Sequence, residues 1–218
     1  MAKRTIQSLG ESDYKKMGME DINLFVLYPT FQHVCALPGV LGACVSLLGT
    51  AVTPARVKVQ SVAEHRLGPL YLGFYCLKFC YLFINANLGT RRRPTGVNVP
   101  DQHIYKVVTG SNEGAIVLMD DKHELYGPFN RAQRALQNLN ESIALLIVDA
   151  LLVGYVFPST TGLFLAAFSA CRVKSAMDYT HDREKRVFFG MMANFIASSL
   201  GGMALVIGIL CVYLQLMA

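Results

Sequence analysis

The chain reads as an all-α membrane protein, a bundle of transmembrane helices. Three observations carry that reading. Of its 218 residues 53% are hydrophobic, too many for an ordinary soluble domain. Five apolar stretches approach or exceed the roughly 17–25 residues that a helix needs to cross a bilayer. The net charge of +5 falls mostly in connecting segments, where basic residues favour the cytosolic face and anionic headgroups. No aromatic-rich basic strand points to nucleic acid.

Residues 1–23 are polar and lack the apolar core of a signal peptide. Glu11, Asp13, Glu20 and Asp21 argue against a mitochondrial presequence. The first span is expected over 31–53, which has no formal charge. Pro38 and the small residues Gly39, Gly42, Ala43 and Gly49 there permit a kink and close helix contact. A second span covers 69–89, interrupted by Lys78, which can snorkel or face a partner helix. Residues 90–128 read as a polar loop, opening on Arg91, Arg92 and Arg93 and containing TGSNEG. A loop of that length is usually functional or disordered. The third span runs from Phe129 to Phe157, and 158–162 make a tight uncharged turn. The fourth covers 163–180, a charged patch follows over 182–186, and the fifth covers 188–215.

The positive-inside rule puts the Arg91–Arg93 loop and the 172–187 region in the cytosol. The segment 55–68, with Arg56, Lys58 and Arg66, is then lumenal if the first stretch crosses. A first segment that packs without crossing is the alternative. The six cysteines lie in or beside apolar segments without metal-type spacing, so they read as small packing residues. No metal site is expected.

Two polar faces stand out. Arg131, Arg134, Asn138 and Glu141 are spaced three, four and three apart, so they share one helix face. Such a face at a membrane boundary must pair or hold a polar ligand. Asp149 continues it about 12 Å deeper than Glu141. An inter-helix salt-bridge ladder is the structural alternative to a site. The second face carries Arg172, Tyr179 and Arg186 at intervals of seven, with Ser175 and Asp182 on the same side. Interfacial anchoring by arginine and tyrosine is its plainer explanation. Fixed guanidinium groups suit a small polyanion and favour a thiolate over a thiol.

RAQRALQNLNE resembles the signature of the MAPEG superfamily, the membrane-associated proteins of eicosanoid and glutathione metabolism, in which RAxxNxxE falls here on Arg134, Ala135, Asn138 and Glu141. GTRRRPTGVNVP resembles the basic segment and Val-Pro turn that end the family's first helix. TGSNEG resembles the loop before the motif. Arg172, Tyr179 and Arg186 keep the spacing of the family's arginine, tyrosine and thiolate-stabilising arginine. The likeness covers about residues 69–216.

The resemblance implies a four-helix membrane domain over 69–218, preceded by an extension, 1–68, with an additional hydrophobic helix. It implies a homotrimer that binds glutathione as co-substrate between neighbouring subunits, in the endoplasmic reticulum, with a mitochondrial membrane as the alternative. Lipophilic small molecules would arrive from the lipid bilayer. Arg92, Arg93, Arg131, Arg134, Asn138, Glu141 and Arg172 would hold glutathione, Tyr179 would contact it, and Arg186 would stabilise its thiolate as the catalytic residue. The implied activity is a transferase or peroxidase.

This sequence also departs from the pattern. Leu136 stands where glutamine or histidine is frequent, Ser142 where an aromatic follows the glutamate, and Ser175 where a second tyrosine is common. A non-catalytic subunit of a larger membrane complex is therefore the second reading. A channel or transporter using Asp149 and Lys78 is the third.

Overall fold

The computed structural model describes residues 21–48, 54–97, 103–109, 115–120 and 122–217. Its helices are α1 (Leu24–Leu48), α2 (Pro54–Glu64), α3 (Gly68–Arg92), α4 (Tyr126–Val156), α5 (Pro158–His181) and α6 (Val187–Met217). The all-α membrane bundle with an additional N-terminal helix is therefore the architecture. Four helices among the described residues are long and apolar enough to span a bilayer: α1, α3, α4 and α6. The fifth, α5, forms over a longer range than the expected 163–180 but is more polar, because it carries Arg172, Lys174 and Asp178. Its packing against α3, α4 and α6 offsets that polarity.

Helix α1 begins seven residues before the expected start. The side chain of Asn23 accepts a hydrogen bond from the Phe25 amide at 3.0 Å, which caps the first turn. The expected end, 49–53, lies outside the described residues. Helix α1 runs antiparallel along α3. Phe25 meets Phe83 with ring centroids 6.3 Å apart, and His33 stacks on Phe79 at 5.4 Å. Arg93 donates to the Ile22 carbonyl at 2.7 Å. The start of α1 and the arginine triplet thus share one end of the bundle.

The segment after it forms α2 rather than a loop. The Leu67 amide bonds the Val62 carbonyl and the Arg66 amide bonds the Ala63 carbonyl. With Arg66 left-handed at φ 55°, this is a Schellman stop. A break of three residues then leads into α3.

The long polar loop is also corrected. Strands β1 (Tyr105–Thr109) and β2 (Ala115–Met119) form an antiparallel hairpin, with Tyr105 opposite Met119. The β-branched runs on either side of TGSNEG carry this signal. Asn130 anchors the hairpin to α4. It accepts from the Ile104 amide at 2.9 Å and donates to the Ile104 and Asp120 carbonyls at 2.8 Å each. Replacing Asn130 by alanine removes these three hydrogen bonds, at about 1–3 kcal/mol, and leaves the Ile104 carbonyl only its bond from the Asp120 amide. Faster amide exchange at Ile104, with an unchanged bundle, is the expected result.

The expected 158–162 turn is instead the first turn of α5. Pro158 needs no amide partner at that position, so Phe157 alone separates α4 from α5. Leu77, Ile84, Phe129, Leu139, Leu146, Val153, Leu165, Phe168 and Leu200 form the buried core. At one end, Gly73 of α3 faces Gly162 of α5. A Cβ on Gly73 would lie 2.8 Å from the Gly162 Cα, and one on Gly162 would lie 2.1 Å from the Pro69 carbonyl oxygen.

Candidate functional site

The site lies at the end of the bundle that carries the arginine triplet. Helix α4 projects Asn138, α5 projects Arg172, Ser175 and Tyr179, and Arg186 stands at the head of α6. Together with Ala135 and Ala176 they line a cleft of about 20 Å³. That is room for about one water, so a peptide-sized ligand would lie across the mouth rather than within.

The Arg186 guanidinium sits over the Tyr179 ring, 4.6 Å from its centroid. The Ser175 hydroxyl donates to the Arg186 carbonyl at 3.1 Å, fixing the backbone beneath it. The Gly190 amide reaches the same carbonyl at 3.0 Å, so Arg186 occupies the cap of α6. The positive end of that helix dipole adds to the guanidinium charge. Among the described residues no carboxylate pairs with Arg186.

Arg172 is held differently. It donates to Asn194 Oδ1 at 2.8 Å and Ser142 Oγ at 3.3 Å, and its guanidinium lies 5.4 Å from the Phe168 ring centroid. Its buried Nε has no hydrogen-bond partner among the described residues. Asn194 was missed in the sequence. Its signal was an amide isolated in the apolar run 187–214, the kind of polar membrane position that marks a site. Ser142 was read only as a departure from the family pattern, yet it supports Arg172.

The remaining sequence candidates stand around this cleft and do not line it. Arg134 pairs with Glu141 at 3.1 Å on an exposed surface, a pair of small energetic weight. Arg131 donates twice to the Thr180 carbonyl, at 3.2 and 3.0 Å, and closes the end of α5. Arg92 is buried over Phe129, 5.1 Å from the ring centroid, and reaches Gln133 at 3.4 Å. Arg93 bonds the Ile22 carbonyl. These last three knit helix ends together. The alternative to a site, an inter-helix salt-bridge ladder below Glu141, is not formed among the described residues. Asp149 meets no cation among the described residues and faces Gly201, where a Cβ would lie 3.1 Å from Oδ2.

Above the motif face, His103 at the root of the hairpin has its pKa lowered, by burial and then by the nearby Arg134 charge. The fold thus favours neutral imidazole. Its stabilising contribution is complete above the ordinary value of 6.5 and is lost as the pH falls through that value toward the lowered one. Hairpin amide protection factors, corrected for the intrinsic pH dependence of exchange, are expected to fall as the pH drops below 6.5. The dependence should disappear in His103→Gln.

The fold and the cleft define an integral membrane protein with an arginine-rich polar site at one end of its bundle. The family model of the MAPEG family matches residues 70–209, and the chain belongs to that family. The match covers α3 through most of α6 and excludes α1 and α2. No curated protein and no solved structure matches the chain significantly.

Proposed function

We propose that this chain is a membrane-bound glutathione-dependent transferase or peroxidase acting on lipophilic electrophiles or lipid hydroperoxides. The observation that carries the proposal is Arg186, stacked on Tyr179, without a carboxylate partner among the described residues, at a cleft shared with Arg172 and Asn138. A guanidinium cannot accept a proton at working pH. Its role is electrostatic: it lowers the free energy of the thiolate, and the thiol proton leaves to solvent. In transfer, the thiolate sulfur forms a bond to the electrophilic carbon as the leaving group departs. In peroxide reduction, two glutathiones give a disulfide, and the hydroperoxide becomes an alcohol and water.

Arg172 and Asn138 supply donors for glutathione carboxylates and amides. Arg134 and Glu141 offer one more group of each sign at the rim. The shallow cleft supports a ligand covered by a second subunit, in keeping with a homotrimer, and we assign the protein to the endoplasmic reticulum. Calorimetry with glutathione on detergent-purified protein, with an electrophile assay on the same sample, tests the reading. Binding and turnover support it; no binding at millimolar glutathione overturns it.

One observation favours the second reading, a non-catalytic subunit of a larger membrane complex. Helix α1 lies outside the family match and leaves Phe31, Val34, Leu37, Val40, Leu41 and Val45 exposed. Glutathione binding without turnover, with copurification of a stable partner, would select it.

A further inference from the structure

Two charged side chains sit within this bundle's membrane-spanning helices. Lys78 lies within the apolar span of α3 and Asp149 within that of α4. Neither makes a hydrogen bond or ion pair within the chain among the described residues. An ionised group at that depth is costly unless it finds a partner. Both remain accessible from outside the bundle, Lys78 exposed and Asp149 half-buried.

Their depth can be compared. Leu70 of α3 packs on Gly154 of α4, and Arg92 of α3 reaches Gln133 of α4. The two helices therefore run antiparallel in nearly one-to-one register. By that register Lys78 stands level with Leu146, about three residues, or roughly 4–5 Å, from the level of Asp149. A lysine side chain spans that offset.

They also lie on different sides of the subunit. Asp149 opens at the seam of α4 and α6, against Gly201. Lys78 is exposed on α3, between exposed Tyr71 and Tyr81 and beside Tyr75, whose hydroxyl meets His33 of α1. Helices α3 and α6 are separated by the α4–α5 pair. One chain thus cannot join the two charges, whereas two copies can. Opposite charges at matched depth on non-equivalent faces define a head-to-tail contact, which closes into a ring by rotation about the membrane normal.

We infer that Lys78 of one subunit pairs with Asp149 of a second copy of this chain, and that this intramembrane ion pair sets the register between subunits. The inference deepens the self-assembly part of the proposed function and is independent of glutathione turnover.

The first test uses the unaltered protein. Light and heavy-isotope chains are co-expressed, purified as one mixture and treated with a hydrophobic carbodiimide, which joins an amine to a carboxylate without a spacer. The expected result is a linked peptide pair containing Lys78 and Asp149, with mixed isotope labels. An oligomer whose cross-links omit this pair overturns the contact but leaves self-assembly standing. A monomeric wild-type protein overturns both.

The second test is charge exchange. Lys78→Glu and Asp149→Lys are each expected to weaken subunit association at least about tenfold. The double exchange is expected to restore it. Wild-type association in either single variant, or no recovery in the double variant while its helix content is native, overturns the pairing.

Discussion

Arg186→Ala is expected to lower kcat by about 10²–10³-fold, the usual loss when one preorganised charge donor to a reacting anion is removed. The KM for glutathione should change little. Binding would rest on Arg172, Asn138 and the rim pair, which the substitution leaves in place. A loss in kcat and kcat/KM together marks an interaction made with the reacting thiolate rather than with the resting ligand. The bound thiol should also titrate at higher pH, because an ordinary thiol ionises near pH 8.5 and the missing guanidinium no longer lowers that value. Residual activity should therefore rise with pH more steeply than in the wild type. Arg186→Lys should fall between the two, since it keeps the charge but loses the planar stack on Tyr179. Steady-state kinetics and the ultraviolet absorbance of the bound thiolate give both readouts. Unchanged turnover in Arg186→Ala would remove the residue from the mechanism.

Gly162→Ala is expected to be the most damaging small substitution away from the site. A Cβ at that position would lie 2.1 Å from the Pro69 carbonyl oxygen and 2.5 Å from its carbonyl carbon. Both are backbone atoms at the start of α3 and cannot rotate aside. The helices would have to separate where they now touch, exposing the Gly73 contact and shifting Leu165. Overpacking of this kind costs about 3 kcal/mol at the upper end of its usual range. Gly202→Ala is the control, since nothing lies within 4 Å of a Cβ there, and membrane helices commonly carry either residue at open positions. Thermal unfolding in detergent should show a large loss for Gly162→Ala and almost none for Gly202→Ala. Equal loss in the two would mean that the Gly73–Gly162 approach is not what holds α3 to α5.

Much of this architecture was legible in sequence because membrane helices announce themselves by length and apolarity, properties that belong to single segments. The spans over 69–89 and 188–215 fall within helices that begin or end a few residues away, and that over 129–157 overruns α4 by Phe157 alone. Where local chemistry competed with apolarity, the reading slipped. Pro158 looked like a turn residue, yet it begins α5, because the first turn of a helix requires no amide from it. The hairpin over 105–119 was hidden by a polar tip and short strands, and it depends on Asn130, a residue of another element.

The same division holds for the site. Helical spacing was enough to place Arg134, Asn138 and Glu141 on one face, and Arg172, Tyr179 and Arg186 on another. Spacing could not say which members of those faces would meet, because that depends on how α4, α5 and α6 cross. Only the packed bundle joined Asn138 to Arg172, Tyr179 and Arg186, gave Arg131 to the Thr180 carbonyl, and brought Asn194 to Arg172. Periodicity is a property of one helix and is written along the chain. A contact between helices is fixed by volumes and close approaches, such as that of Gly73 and Gly162, which a linear sequence records as two unrelated glycines.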